Sequence, residues 1–172
     1  MNIFDKILYS IFFIILAVFF VKFFLLGLLM ALILFWLRTL QMRMEPNHKE
    51  FLGGKLPNPK PNGFYRGSIG FRVSWIGKKF DAENGVGINV FCDERGKQTE
   101  KYKFKTLLGS GLFDQHLIVL KIDYNVKSNP FWIRCILDEI IEVAPNEYLG
   151  KMHLRIIPGF PFSVLYFELK KA

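Results

Sequence analysis

The sequence predicts one long membrane-spanning helix followed by an all-β domain, most simply a small antiparallel barrel. Three observations carry this: an apolar run from Ile7 to Leu37, a two-residue alternation of apolar and polar residues after Gly63, and turn-forming residues that punctuate that alternation. About 20 apolar residues suffice to cross a hydrocarbon core, and this run, rich in Phe, Leu and Ile, is longer. A cleavable signal peptide has an apolar core of about 7–15 residues before a small-residue cleavage site. No A-x-A pattern follows Leu37; Arg38, Arg43 and then Pro46 follow, and the proline should end a helix entered near Asn2. The run therefore reads as a retained anchor, residues 1–45.

Lys22 interrupts the run near its centre, where a charge is costly unless it snorkels or finds a partner. Either the spanning frame slides until Lys22 lies at an interface, or Lys22 faces an acidic residue or lipid phosphate in a membrane assembly. A two-pass hairpin turning at Lys22 is disfavoured, because each arm would have only about 15 residues. Lys6 precedes the run while Arg38, Arg43 and Lys49 follow it, which by the positive-inside rule places the C-terminal domain on the cytoplasmic side. Cys92 and Cys135 suit either redox compartment, as a bridge or as two thiols.

Residues 46–62 contain Pro46, Gly53, Gly54, Pro57, Pro59 and Pro61 and read as a short stiff tether. It would keep the following domain, residues 63–172, near the headgroups, and the chain's net charge of +8 suits anionic lipid. Within that domain His116, Ile118, Leu120, Ile122 and Tyr124 alternate with Lys121 and Asp123, as in a strand with one buried face. Tyr148 to Ile156 alternates likewise, with Lys151, His153 and Arg155 forming a cationic face. Trp132–Val143 and Phe162–Leu169 are further strands, rich in aromatic and β-branched residues. Turn signals stand at Glu83-Asn84-Gly85, Glu94-Arg95-Gly96, Ser128-Asn129-Pro130 and Ala144-Pro145-Asn146. Closure of roughly seven to ten such strands into a barrel removes their exposed edges.

Three short motifs carry a family resemblance. Gly63-Phe64-Tyr65-Arg66-Gly67-Ser68 resembles the G-x-W-x-G signature of the GXWXG domain, with Tyr65 in place of the Trp. Trp75-Ile76-Gly77-Lys78-Lys79-Phe80-Asp81 resembles the W-x-G-K-x-F segment that follows it. Ile122-Asp123-Tyr124, Pro130, Arg134 and Tyr148-Leu149-Gly150-Lys151 resemble elements of the uncharacterised domain usually found downstream. The resemblance covers residues 63–169 and excludes the anchor. Ile133 stands where the downstream pattern has Phe, and the stretch from Pro130 to Tyr148 is longer than usual. What it implies is a lipocalin-like β-fold; it supplies no catalytic residue.

In the residues themselves, Gly63, Gly67 and Gly77 mark bends or close backbone approaches, and Tyr65, Trp75 and Phe80 would plug one end of the barrel. Ligand contact by Tyr65, Trp75 and Tyr124 is the functional alternative. On the Trp132–Val143 strand, Arg134 and Asp138 share one face while Cys135, Leu137 and Glu139 share the other, so whichever face turns inward carries a charge with it. Arg134, with Asp138 nearby, would then hold a carboxylate or phosphate headgroup in an apolar cavity. In the plainer reading both are solvated. His48, His116 and His153 show no metal-ligand spacing, no G-x-S-x-G or phosphate loop is present, and no motif requires a cofactor. A Cys–His nucleophile pair built from Cys92 or Cys135 has little support. The aromatics are not interleaved with a basic stripe, which argues against nucleic acid.

Two functions fit. One is a membrane-anchored barrel that binds a lipid or other apolar molecule, with Arg38, Arg43, Lys151 and Arg155 toward the membrane or a partner and Lys151, His153 and Arg155 as a basic rim. The other is a structural or interaction subunit docked into a membrane complex through Lys22. An enzyme would need a polar pair inside the cavity, such as Arg134 with Asp138 or a buried Glu139.

Overall fold

The computed structural model describes residues 3–71 and 73–172, with side chains from residue 10 onward. It divides into two compact units, Met1–Leu37 and Arg38–Ala172. The first unit is helical throughout its described length, as part of α1 (Ile3–Met42). The stretch Ser10–Met42, 33 residues, is long and apolar enough to cross a membrane. Leu, Phe and Ile dominate it, and no proline interrupts it. It stops ahead of Pro46, as anticipated, because proline lacks the N–H that the helix needs and its ring disfavours helical backbone before it.

The second unit is a closed, eight-stranded antiparallel barrel in which each strand pairs with its neighbours in sequence and β8 closes on β1. The strands are β1 (Gly63–Ser68), β2 (Trp75–Asp81), β3 (Val86–Cys92), β4 (Gln98–Ser110), β5 (Ile118–Asp123), β6 (Ile136–Ala144), β7 (Glu147–Ile157) and β8 (Phe160–Lys171). The predicted turns at 83–85, 94–96 and 128–130 fall between strands, and that at 144–146 starts on the last residue of β6 and leads into β7. Asn146, with φ 62°, takes the left-handed conformation that asparagine tolerates. Because the chain runs up and down, the β1–β2, β3–β4, β5–β6 and β7–β8 connections gather at one end of the barrel, and the others at the opposite end.

Two apolar clusters hold this unit together. The first lies inside the barrel, where Tyr65, Phe80, Phe104, Tyr148 and Phe167 pack with Leu120, Ile122, Ile140 and Leu169. Tyr65 meets Phe80 edge-on at 5.7 Å and Tyr148 at 5.2 Å, an aromatic plug that contains Tyr65 and Phe80 of the three residues expected there but not Trp75, which lines the cavity instead. The second lies on the outer face of β5–β8, where Val119, Ile141, Leu149 and Tyr166 are covered by Met42 and Phe51. The strands β6 and β7 are therefore buried on both faces.

Two expectations need correction. Residues 46–62 are not all tether: Pro46–Gly53 forms a short helix, α2, with Pro46 at its first turn and Phe51 fully buried. The chain after it pairs at Lys55 with Glu142 before entering β1. The strand expected at Trp132–Val143 begins only at Ile136, since the N–H groups of Ile133 and Arg134 both donate to the carbonyl of Pro130 and coil residues 130–135 into a turn.

Gly77 lies at the register irregularity between β2 and β3, with φ 148°. A Cβ there would sit 2.0 Å from the carbonyl oxygen of Tyr65, which is backbone and has no room to yield. Gly77→Ala is expected to destabilise the protein by about 3 kcal/mol, combining overpacking with left-handed strain. Gly53→Ala, which meets nothing within 4 Å, should stay within about 0.5 kcal/mol. Denaturant midpoints of the two variants check the contrast.

Candidate functional site

A cavity of about 400 Å³ lies inside the barrel at the end carrying the β1–β2 and β5–β6 connections. Its walls are mostly apolar: Ile69, Phe71 and Val73 come from the β1–β2 connection, Phe91 from β3, Ile133 from the turn before β6, Ile136 from β6 itself, and Met152, Leu165 and Phe167 from β7 and β8. Its polar residues at the inner side are Lys78, Asn89, Tyr124 and Asp138, with Trp75 beside them. Gly67 makes room for Trp75, since a Cβ there would lie 2.2 Å from the indole ring.

Lys78 on β2 and Asp138 on β6 meet across the lumen, Nζ to Oδ2 at 2.9 Å. Lys78 also donates to Asn89 Oδ1 at 3.0 Å and to the Tyr124 hydroxyl. The Tyr124 hydroxyl in turn donates to Asp138 Oδ2 at 3.1 Å, and Asn89 Nδ2 donates to Tyr124 at 3.0 Å. Trp75 Nε1 donates to Asn89 Oδ1 at 3.1 Å. The Lys78 ammonium is ringed by Trp75, Phe104, Tyr124 and Phe167, with centroids 5.0–5.6 Å away. Among the described residues no buried side-chain nitrogen or oxygen lacks a hydrogen-bond partner, so the cluster is internally satisfied.

Burial lowers the pKa of Lys78, against the opposing charge and hydrogen bond of Asp138. Burial raises that of Tyr124, and the charge of Asp138 adds to it, which keeps the phenol protonated as a donor. Tyr102 belongs to the same architecture. It occupies the bulge between Ile88 and Asn89, carries φ 62°, and accepts from Asn89 Nδ2 at 3.3 Å while its ring packs edge-on to Phe91.

Of the ligand-contact candidates, Trp75, Tyr124 and Asp138 are brought together here. Tyr65 is not: it is core, below the cluster in the aromatic plug. Arg134 is not either. It lies exposed on the turn before β6, with Nε donating to Asn125 Oδ1 at 3.1 Å, so the expected Arg134–Asp138 pairing is absent and Lys78 takes the place of the arginine. Lys78 and Asn89 were missed. Lys78 stands within the W-x-G-K-x-F segment, and its position on β2 one residue after Gly77 was the available signal.

The basic rim also fails. Lys151 and His153 are 2% and 0% exposed, on the outer face beneath α2 and the β4–β5 connection. Lys151 Nζ lies 2.6 Å from Asp114 Oδ2 and over the Phe51 ring at 4.4 Å. His153 bridges Glu139 Oε2, 3.1 Å from Nε2, and Ser163 Oγ, 3.2 Å from Nδ1. Glu139 also accepts the Leu112 N–H at 2.6 Å, and the Ser163 N–H donates to Thr39 Oγ1 at 2.9 Å. This Ser–His–Glu order has the connectivity of a nucleophilic triad, but all three are buried and Thr39 covers the serine backbone, so it acts as a latch that fastens residues 38–42 to the barrel. Arg38 adds to the latch, Nε to the Val164 carbonyl at 2.9 Å and Nη1 to Glu45 at 2.5 Å, while Arg43 packs over Phe113. Arg155 pairs with Asp123 at 2.5 Å. Cys92 and Cys135 are free thiols, and among the described residues no group of His, Cys, Asp and Glu could hold a metal.

No family model matches the chain, and no curated protein matches it. Among solved structures, one described as "Crystal structure of protein from Thermomonospora curvata" is similar, with 18% identity and a TM-score of 0.49 over 69% of this chain and 80% of that one.

Asp138→Asn strands a buried ammonium and is expected to cost about 3–5 kcal/mol, whereas Lys78→Met with Asp138→Leu should recover a large part of it. A double-mutant cycle in denaturant reads both, and a loss below about 1 kcal/mol for Asp138→Asn would refute the lumenal ion pair. The outer face titrates separately. Burial, the Lys151 charge and, less, the Arg43 charge hold the His48 pKa below 6.5 against the attraction of Asp114, while Tyr166 lies 3.2 Å from its Nδ1. Folding thus favours the neutral ring: this contribution is complete above pH 6.5 and is lost as pH falls through the folded pKa. His48→Gln should remove that decline, seen as a flatter stability profile just below pH 6.5.

Proposed function

We propose that this protein is a membrane-anchored barrel that holds a small apolar molecule bearing one polar head. The observation that carries the reading is the lumenal cavity, apolar over most of its walls and charged at one place, where Lys78 and Asp138 meet Tyr124 and Asn89. Its volume, about 400 Å³, lies in the range of small-molecule sites. Lys78 and Asp138 offset one another, so the cluster suits an uncharged head such as a hydroxyl, which both donates and accepts. A free carboxylate or phosphate would have to displace Asp138 from Lys78. The apolar stretch Ser10–Met42 supports attachment to a bilayer, and the charges after it favour a cytoplasmic barrel. Kinship with the GXWXG-type domain is part of this proposal, resting on the three motifs.

A second reading is favoured by Lys22, which lies within the apolar stretch and would suit pairing with an acidic residue in a membrane complex. The two are separated by the cavity's contents.

Native mass spectrometry and organic extraction of the full chain should reveal a retained small molecule in stoichiometric amount. Tyr124→Phe is expected to weaken its retention about tenfold, the worth of one buried hydrogen bond. A chain that is empty under gentle detergent, unaffected by Tyr124→Phe, and captured in a defined membrane complex would favour the structural subunit.

A further inference from the structure

Three connections at the open end of the barrel expose large apolar side chains. Phe71 on the β1–β2 connection is 63% exposed, Phe131 and Trp132 on the β5–β6 connection are 77% and 58% exposed, and Phe160 at the β7–β8 turn is 63% exposed. Leaving such rings in water is unfavourable, and their gathering at one end marks a contact surface. The β2–β3 turn at the opposite end, Ala82 to Gly85, is polar by contrast.

We propose that this rim of aromatic side chains seats in the headgroup region of a lipid bilayer, so that the cavity mouth opens into the membrane surface. Three observations select a bilayer as the occupant. Trp settles at membrane interfaces, and Phe beside basic residues is what the buried face of an interfacially bound segment carries. Lys127 and Arg134, both exposed, stand on the same connection as Phe131 and Trp132, as attraction to anionic lipid requires. The chain also enters the barrel unit at this end: Arg38, the first residue of that unit, bonds to Val164 and Thr39 to Ser163, near the start of β8. Phe71 belongs to both surfaces, since it lines the cavity as well as the rim. An apolar molecule could then pass between bilayer and lumen along one apolar path without crossing water. This rests on the anchored, ligand-binding reading above.

The test uses the full chain reconstituted in phosphatidylcholine–phosphatidylglycerol vesicles, with Cys92→Ser and Cys135→Ser as background. Phe131→Cys and, as a second rim position, Phe160→Cys are labelled with nitrobenzoxadiazole, and Asn84→Cys reports the opposite end. The rim labels should be quenched by lipids carrying a nitroxide near the headgroup and shielded from aqueous iodide, while the label at position 84 shows the reverse. Iodide quenching of both rim labels, without lipid quenching, would overturn the proposal. Shielding from iodide without lipid quenching would also overturn it, by assigning the rim to a protein or a second copy. Failure of the anchored reading is distinct: the chain would then leave the vesicles on alkaline carbonate washing, before any label is read.

Discussion

The lumen is organised by one contact, the ion pair that Lys78 and Asp138 make from facing strands of the barrel. Two charges in such surroundings persist only when every remaining donor and acceptor is answered, and Tyr124, Asn89 and Trp75 are placed to answer them. That requirement divides the interior. On one side the aromatic rings of Tyr65, Phe80 and Tyr148 fill the barrel; on the other the walls stay apart and leave the cavity. The strained bulge at Tyr102 is part of the same solution, since it turns a carbonyl toward Asn89 that a regular strand would have spent on its neighbour.

The outer face repeats the pattern with different partners. Lys151 with Asp114, and His153 with Glu139 and Ser163, are charged or polar residues facing away from the lumen, yet each is buried because α2 and the end of α1 lie over them. An open sheet face would have left them in water. Covering them obliges each to be paired, and the pairs fix where the covering segment can sit.

Much of the architecture was legible in the chain. The apolar run, the alternation over Ile118–Asp123 and Glu147–Ile157, and the turn residues between strands are local signals, and each governs its own stretch of backbone. The errors arose where distant segments decide. Alternation shows which residues share a face but not whether another segment covers that face, so Lys151 and His153 read as solvated. Pro130 coils its successors through carbonyl bonds that the β-branched character of residues 132–137 does not announce, and this removed Arg134 from the strand. Lys78 was inside a recognised motif, but its partner Asp138 lies 60 residues away, and no spacing rule joins them.

The latch at the start of the barrel unit ties the chain that enters this unit to the wall of the cavity. Arg38 and Thr39 grip Val164 and Ser163, and the next residues of that same strand, Leu165 and Phe167, are walls of the cavity. Any pull arriving along the chain ahead of Arg38 would therefore be borne first by β8, the strand that carries this part of the cavity wall.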